Sequence, residues 1–307
     1  MPVNTPQALL HPLSQAAIFL VAKINPGGEE AVHGALAELA GLTRTIGFRD
    51  PDKQLSLVTG IGSAAWDRLF RGGRPDALHP FVELSGPRHK APSTPGDLLF
   101  HIRAETMDYC FELASRLMVE LGDAVSVVDE VHGFRYYDRR DLLGFVDGTE
   151  NPIGRTAAAA ALTDDGGSYV HVQKYLHNVA AWRVLPVDEQ ERVIGRTKFD
   201  DIELPDGVKP ENAHTALNVI EDEDGDELKI VRANMPFGSV GNDEFGTYFI
   251  GYSHDPAITE RMLRNMFLGD PPGNTDRILD FSTAVTGGLF FAPSADFLAE
   301  PPALPGS

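Results

Sequence analysis

The chain has 307 residues, 42% of them hydrophobic and 23% charged, with a formal net charge of −19. That length suits two domains of ordinary size, and the apolar share supplies a real core, which excludes a chain disordered throughout. No cluster of Lys and Arg relieves the negative charge, so nucleic acid is excluded as a partner: its phosphates would be repelled.

In chain order, residues 16–23 are the first predicted strand. Their apolar run is short, has no basic stretch before it and ends at Lys23, so it reads as core and not as an export signal. No segment approaches the length of a membrane span, and a cytoplasmic location is expected. A helix is predicted over 28–42, a strand over 55–59 and a short helix from Ser63. Gly60-Ile61-Gly62-Ser63-Ala64-Ala65 imitates a dinucleotide fingerprint. Gly72-Gly73-Arg74-Pro75 then follows in place of a strand completing a parallel unit, so a glycine-shaped turn is the reading. Beyond a Pro- and Gly-rich connection over 84–96 come a strand (98–103), an amphipathic helix (107–121) and one long or two short strands (124–137). Cys110, the single cysteine, falls on that helix's apolar stripe with Leu113, Ala114 and Leu117, as a buried structural thiol would.

The second half repeats the rhythm, with strands over 169–175, 228–235 and 245–252 and helices over 187–195 and 257–267. The acidic run 221–227 fails as a calcium loop because Ile220 stands where an acid is required; Asp224-Gly225 reads as a hairpin turn. Strands and helices alternating in both halves predict an α+β chain of two units, residues 1–140 and 141–307, each a sheet covered by helices. The boundary is placed where Asp138-Arg139-Arg140-Asp141 interrupts the apolar pattern.

Three stretches hold candidate chemistry. In Gly144-Phe145-Val146-Asp147-Gly148-Thr149-Glu150-Asn151-Pro152, glycines bracket an Asp, which suits either a self-bonded turn or close approach of another group. Ile230, Arg232 and Asn234 alternate onto one strand face, where a buried Arg and Asn need polar partners: a cavity or a salt bridge to Asp147 would serve. Ile258, Met262 and Met266 form a helical stripe, either plain core or the wall of a pocket.

Together with His214 in Asn212-Ala213-His214-Thr215 and the segment Asp276-Arg277-Ile278-Leu279-Asp280-Phe281-Ser282 with Thr286-Gly287, these motifs resemble the dye-decolorising peroxidases over nearly the whole chain. Their context is similar to the B-type bacterial branch. The resemblance implies two ferredoxin-like domains with antiparallel sheets, the second holding haem b. It implies that His214 is the axial iron ligand, with Asp276, or Asp280 in reserve, accepting the other ring N–H. Asp147 is implied as the acid–base group toward hydrogen peroxide, and Arg232 with Asn234 as the charge-stabilising pair, in a reaction through a ferryl intermediate. Arg196 is implied at a haem propionate, and Gly148, Thr149, Glu150, Asn151, Met266 and Phe267 around the cofactor. Phenolic, dye-like or porphyrin-like donors would be oxidised at the haem edge or through residues such as Trp66, Trp182 and the tyrosines. A haem-handling protein with incidental peroxidase activity, and a haem-free module with a structural His214, are the competing readings. The resemblance also implies a homo-oligomer; the tail 297–307 shows no recognisable tag, which speaks against packaging in an encapsulin shell.

Overall fold

The computed structural model describes residues 4–148 and 150–306. In the first half they form β1 (Ala16–Ile24), α1 (Glu29–Gly47), β2 (Ser56–Gly62), α2 (Ser63–Leu69), a two-residue hairpin β3 (Leu84–Ser85) and β4 (Lys90–Ala91), β5 (Leu98–Ala104), α3 (Met107–Leu121) and β6 (Val125–Phe134). The second half has α4 (Gly154–Ala161), β7 (Ser168–His177), α5 (Val179–Arg183), α6 (Val187–Ile194), α7 (His214–Asn218), β8 (Ile220–Glu221), β9 (Glu227–Leu228), β10 (Val231–Arg232), β11 (Met235–Ser239) and β12 (Glu244–Ser253). It ends with α8 (Pro256–Leu268), β13 (Ser282–Ala284), β14 (Gly288–Ala292) and α9 (Ala295–Ala299).

The strand order is β2-β5-β1-β6 in the first half and β10-β12-β7-β14 in the second. Ranked within each half, both run second, third, first, fourth, which is the antiparallel βαββαβ arrangement of a ferredoxin-like domain. The repeated rhythm of the sequence is therefore a repeated topology. β14, which is not among the predicted strands, pairs with both β7 and β2 and makes the two sheets continuous.

β1 reads as an unbroken apolar run because both of its faces are covered. Ile18, Leu20 and Ala22 pack under α1 and α3 with Val32, Leu36, Leu113 and Leu117. Ala17, Phe19 and Val21 face the other way, against Met235, Phe237, Tyr248 and Ile250 of the second half. The long sheet therefore folds back on itself around a shared core. At its far ends β6 closes on β11 so tightly that a Cβ on Gly133 would stand 2.5 Å from that of Met235. Cys110 is buried, and burial pushes its thiol up to about 12, which leaves it inert at neutral pH.

Gly60–Ala65 is a turn from β2 into α2 within an antiparallel sheet, and Asp224-Gly225 joins the hairpin β8–β9, with Gly225 at φ +85°. The strand predicted over 228–235 is instead broken into β9, β10 and β11. The side-chain carbonyl of Asn234 accepts the N–H of Ile250 (3.2 Å) that an unbroken ladder would give to Ala233. Trp66 stacks among Phe70, Phe291 and Phe297, and Trp182 donates to the carbonyl of Leu143 (2.8 Å), so both are packed in cores. No helix among the described residues is long and apolar enough to cross a membrane.

Candidate active site

A cavity of about 590 Å³ opens on the helix-covered face of the second sheet, between β7, β12 and the helices α6 to α8. Asp147 reaches it from a miniature hairpin. Asp141 N–H donates to the Phe145 carbonyl (2.8 Å), Arg140 bridges Val146, and Asp147 N–H donates to the Arg139 carbonyl (3.1 Å). Gly144 (φ +92°) and Gly148 (φ +85°) supply left-handed turns on either side of the Asp. Burial raises the Asp147 carboxyl above its usual range. The Arg232 guanidinium pulls it back, as do the Gly148 N–H and, more weakly, His214.

Arg232 is fixed through its backbone. The Asn151 amide accepts from Arg232 N–H (2.9 Å) and donates to the Arg232 carbonyl (2.6 Å), which ties the Gly-x-x-Asp-Gly turn to β10. Ile230, Arg232 and Asn234 all line the cavity, while Val231 and Ala233 belong to the core behind the sheet. The period-2 reading of that segment is therefore correct even though its ladder is interrupted. Among the described residues no ion pair joins Asp147 to Arg232, so both groups stay available to whatever enters.

His214 opens α7 and lines the same cavity. Its Nδ1 lies 2.7 Å from Oδ2 of Asp276, a carboxylate with 0% exposure. Asp276 is itself held, because its Oδ1 accepts the Ile278 N–H (2.9 Å) and its own N–H donates to the Met266 carbonyl (3.0 Å). Asp280, the other acid considered, turns to the surface and pairs with Arg88 (2.6 Å) and His89 (3.2 Å). The C-terminus of α6 packs closely on α7. There Gly195 has φ +95°, and a Cβ would meet Thr215 Oγ1 at 2.1 Å, so glycine is required.

Met262, Leu263, Met266, Phe249, Ile230 and Ile278 give the cavity apolar walls. Phe267, expected beside Met266, does not line it; a helix turns about 100° per residue, which carries Phe267 into the main core. Gly148 and Glu150 line the cavity, and Thr149 lies outside the described residues. At the rim Arg196 contacts Glu150 (2.8 Å) and Asp201 (2.8 Å), with Lys209 and Lys229 nearby. Its guanidinium thus has the carboxylate partners of an ion pair as well as the position expected of an anion anchor.

The sequence reading missed several polar lining residues. Burial pushes Asp141 up to about 7 against the Phe145 N–H, and the Asp147 charge adds to the rise. His177 bonds Ser282 Oγ through Nδ1 (2.8 Å) and Thr247 Oγ1 through Nε2 (2.9 Å). Burial lowers its imidazole to about 4, so it is neutral in the folded protein. The unfolded chain then binds the extra proton, and stability is lost as pH falls from 6.5 to about 4. His177→Gln is expected to remove about 2–3 kcal/mol of that loss. Urea unfolding at pH 7 and pH 4 measures it; an unchanged pH dependence would show that His177 is protonated in the fold.

The geometry suits an iron porphyrin. The slot has apolar walls, an imidazole whose Nδ1 is already engaged by a carboxylate, a polar group for peroxide, and cationic side chains at its mouth for carboxylates. Residues 6–135 match the family model "Dyp-type peroxidase, N-terminal" and residues 138–297 match "Dyp-type peroxidase, C-terminal". The dye-decolorizing peroxidase of Mycobacterium tuberculosis (strain ATCC 25618 / H37Rv) is 68% identical over 311 residues, covering 99% of this chain and 93% of its own. The cryo-EM structure of the encapsulated DyP-type peroxidase from Mycobacterium smegmatis superposes with a TM-score of 0.97 at 65% identity, covering 99% of this chain and all of that one. A variant of DypB from Rhodococcus jostii RHA1, solved in complex with heme, gives a TM-score of 0.94 at 56% identity over 96% of this chain and 98% of its own. The chain belongs to the Dyp-type peroxidase family, in its B-type branch, and is a haem-dependent peroxidase.

Proposed function

We propose that the protein uses hydrogen peroxide to oxidise phenolic, dye-like or porphyrin-like donors one electron at a time, with the residues around the cavity dividing the work. When bound, haem supplies an open coordination position for peroxide and stores the two oxidising equivalents set free by oxygen–oxygen cleavage. His214 would hold the haem iron through Nε2. Asp276 holds the Nδ1 proton, which fixes the tautomer and makes the imidazole a stronger donor. Asp147 takes the proton from the inner peroxide oxygen and returns it to the outer one, which leaves as water. Arg232 faces the negative charge that develops between the oxygens, and Asn234 adds an amide dipole. Arg196 and the neighbouring lysines would receive the propionates, while Gly148, Glu150 and Asn151 belong to the turn beside the cofactor and Met266 to its wall.

The observation that carries this reading is the pairing of an unbridged carboxylate and guanidinium with a carboxylate-backed histidine in one cavity. A protein that merely stores haem has no use for the first pair. Steady-state oxidation of a phenol by the haem-loaded protein, with peroxide, is expected to proceed and to be lost in His214→Ala. Loaded wild-type protein that shows a Soret band but no turnover would instead be a haem-handling protein.

Packing also changes one expectation read from the tail. The M. smegmatis relative is encapsulated, so the absence of a recognisable tag no longer argues against a shell, and packaging as a homo-oligomer is part of the proposed reading. The units 1–140 and 141–307, and action in the cytoplasm, belong to it as well.

A further inference from the structure

We infer that the helix-side face of β7 carries a proton path from the cavity to the protein surface at Glu260. The inference rests on the peroxidase reading above. His171, Gln173, Tyr175 and His177 alternate onto this one face, where an ordinary strand would present apolar residues to α8. Tyr175 lines the cavity, and its hydroxyl donates to Oε1 of Gln173 (2.7 Å). Beyond that bond the hydrogen bonding stops, although the side chains remain buried. Gln173 Nε2, both ring nitrogens of His171 and Oγ1 of Thr259 on the facing α8 have no protein hydrogen-bond partner. They are four of the ten such buried atoms among the described residues, three of them on neighbouring positions of this strand face and the fourth on the helix over it.

That concentration needs a cause, because nearly all buried polar atoms are hydrogen-bonded and an unmet one costs about 1–3 kcal/mol. Buried water bridging two to four such groups is the usual solution. Thr259, like Tyr175, lines the cavity, so the group is rooted there twice. At its outer end His171 Nε2 lies 3.9 Å from Glu260 Oε1, and His79 Nε2 lies 3.1 Å from the same oxygen. Glu260 (28% exposed) and His79 (38% exposed) reach solvent. Burial lowers the His171 imidazole, which keeps it neutral and able to accept at one nitrogen while donating from the other. A metal site is not the explanation: no group of three metal-ligating side chains occurs among the described residues.

The reaction has a use for such a path. Hydrogen peroxide brings two protons, yet its two oxygens leave as two waters, so two further protons must accompany the two electrons. A phenol oxidised at the cavity releases a proton there with each electron. A donor oxidised elsewhere, or one that has no proton to give, leaves the cavity to be supplied from solvent. Glu260, His171 and bridging water supply it, each passing one proton inward and receiving another from outside, and the water delivers it to the cavity at Tyr175 and Thr259. Gln173 does not carry the proton but orders that water through Nε2 while its Oε1 accepts the Tyr175 O–H.

The test compares ferrocyanide, which gives an electron and no proton, with a phenol, in haem-loaded wild type, Glu260→Gln and Gln173→Leu. The ratio of ferrocyanide to phenol turnover is expected to fall about 100-fold in both variants, the modest end of what an arranged proton transfer is worth. Glu260→Gln lies at the rim and preserves shape, so its effect is separable from misfolding. A second measurement is independent of activity: a crystal structure resolving ordered water is expected to show molecules bridging Gln173 Nε2, Thr259 Oγ1 and His171. An unchanged donor ratio in Glu260→Gln, or a dry, closely packed interval between Gln173 and His171, overturns the path. Absence of wild-type turnover with either donor would overturn the peroxidase reading instead.

Discussion

In haem-loaded Arg232→Leu, the second-order reaction with hydrogen peroxide is expected to fall by about 10²–10³-fold, the cost of removing a preorganised charge from a developing oxyanion. Among the described residues Arg232 has no ion-pair partner. Its backbone is clasped by Asn151, and its guanidinium faces a cavity where Asp147 is nearby but not in salt-bridge contact. A fixed cation in a water-poor slot is already oriented when negative charge appears, and a guanidinium stays protonated at any working pH. Asp147→Asn should slow the same step less. Peroxide can still pass its proton through an ordered water, whereas the other cations lining the cavity, Arg196, Lys209 and Lys229, sit at its rim. Stopped-flow absorbance of the loaded variants at one peroxide series measures both. If Asp147→Asn collapses and Arg232→Leu does not, the ranking is reversed, and proton relay outweighs charge stabilisation.

How far the sequence foretold this site depends on the kind of signal each residue left. The two α+β halves were legible because strand and helix periods alternate in long, well-separated runs, and the halves proved to share one strand order. β14 was not, because Gly288-Leu289-Phe290-Phe291-Ala292 between β13 and α9 carries no polar–apolar alternation; its identity comes from pairing with β2 and β7, which are remote in sequence. Asp147, His214, Arg232 and Asn234 reach one cavity as the motif resemblance implied. Asp276 could not be separated from Asp280 by pattern, since four residues is about one helical turn and both are acids. A short 3-10 segment from 277 to 280 separates them in space, one under His214 and the other at Arg88. His177 and Tyr175 left no trace of function, for a polar residue within a strand reads as packing until the cover over that face is known. Met266 lines the cavity while Phe267 is buried in the main core, a difference that their shared helical stripe does not disclose.

Asp276→Asn is expected to leave the fold and cofactor binding largely in place while lowering peroxide reactivity by about 10–100-fold, the usual cost of losing a partner behind a metal-ligating histidine. The substitution keeps shape but leaves one acceptor oxygen: with it turned to His214 Nδ1–H, now 2.7 Å from the carboxylate, the amide NH2 faces the Ile278 N–H and that cap bond is lost. The negative charge disappears as well, at a position with 0% exposure where solvent screens it little. A neutral amide withdraws less of the ring proton, so the imidazole becomes a weaker electron donor and the iron's reduction potential should rise. Two independent readings follow from one change, a slower peroxide step in stopped flow and a higher midpoint in spectroelectrochemistry. Asp280→Asn is the matched control: it removes an exposed pair with Arg88, worth about 0–1 kcal/mol, and should move neither reading. If Asp276→Asn leaves potential and rate at wild-type values, the carboxylate merely caps the 3-10 segment through Ile278, and the imidazole at 214 owes it nothing electronic.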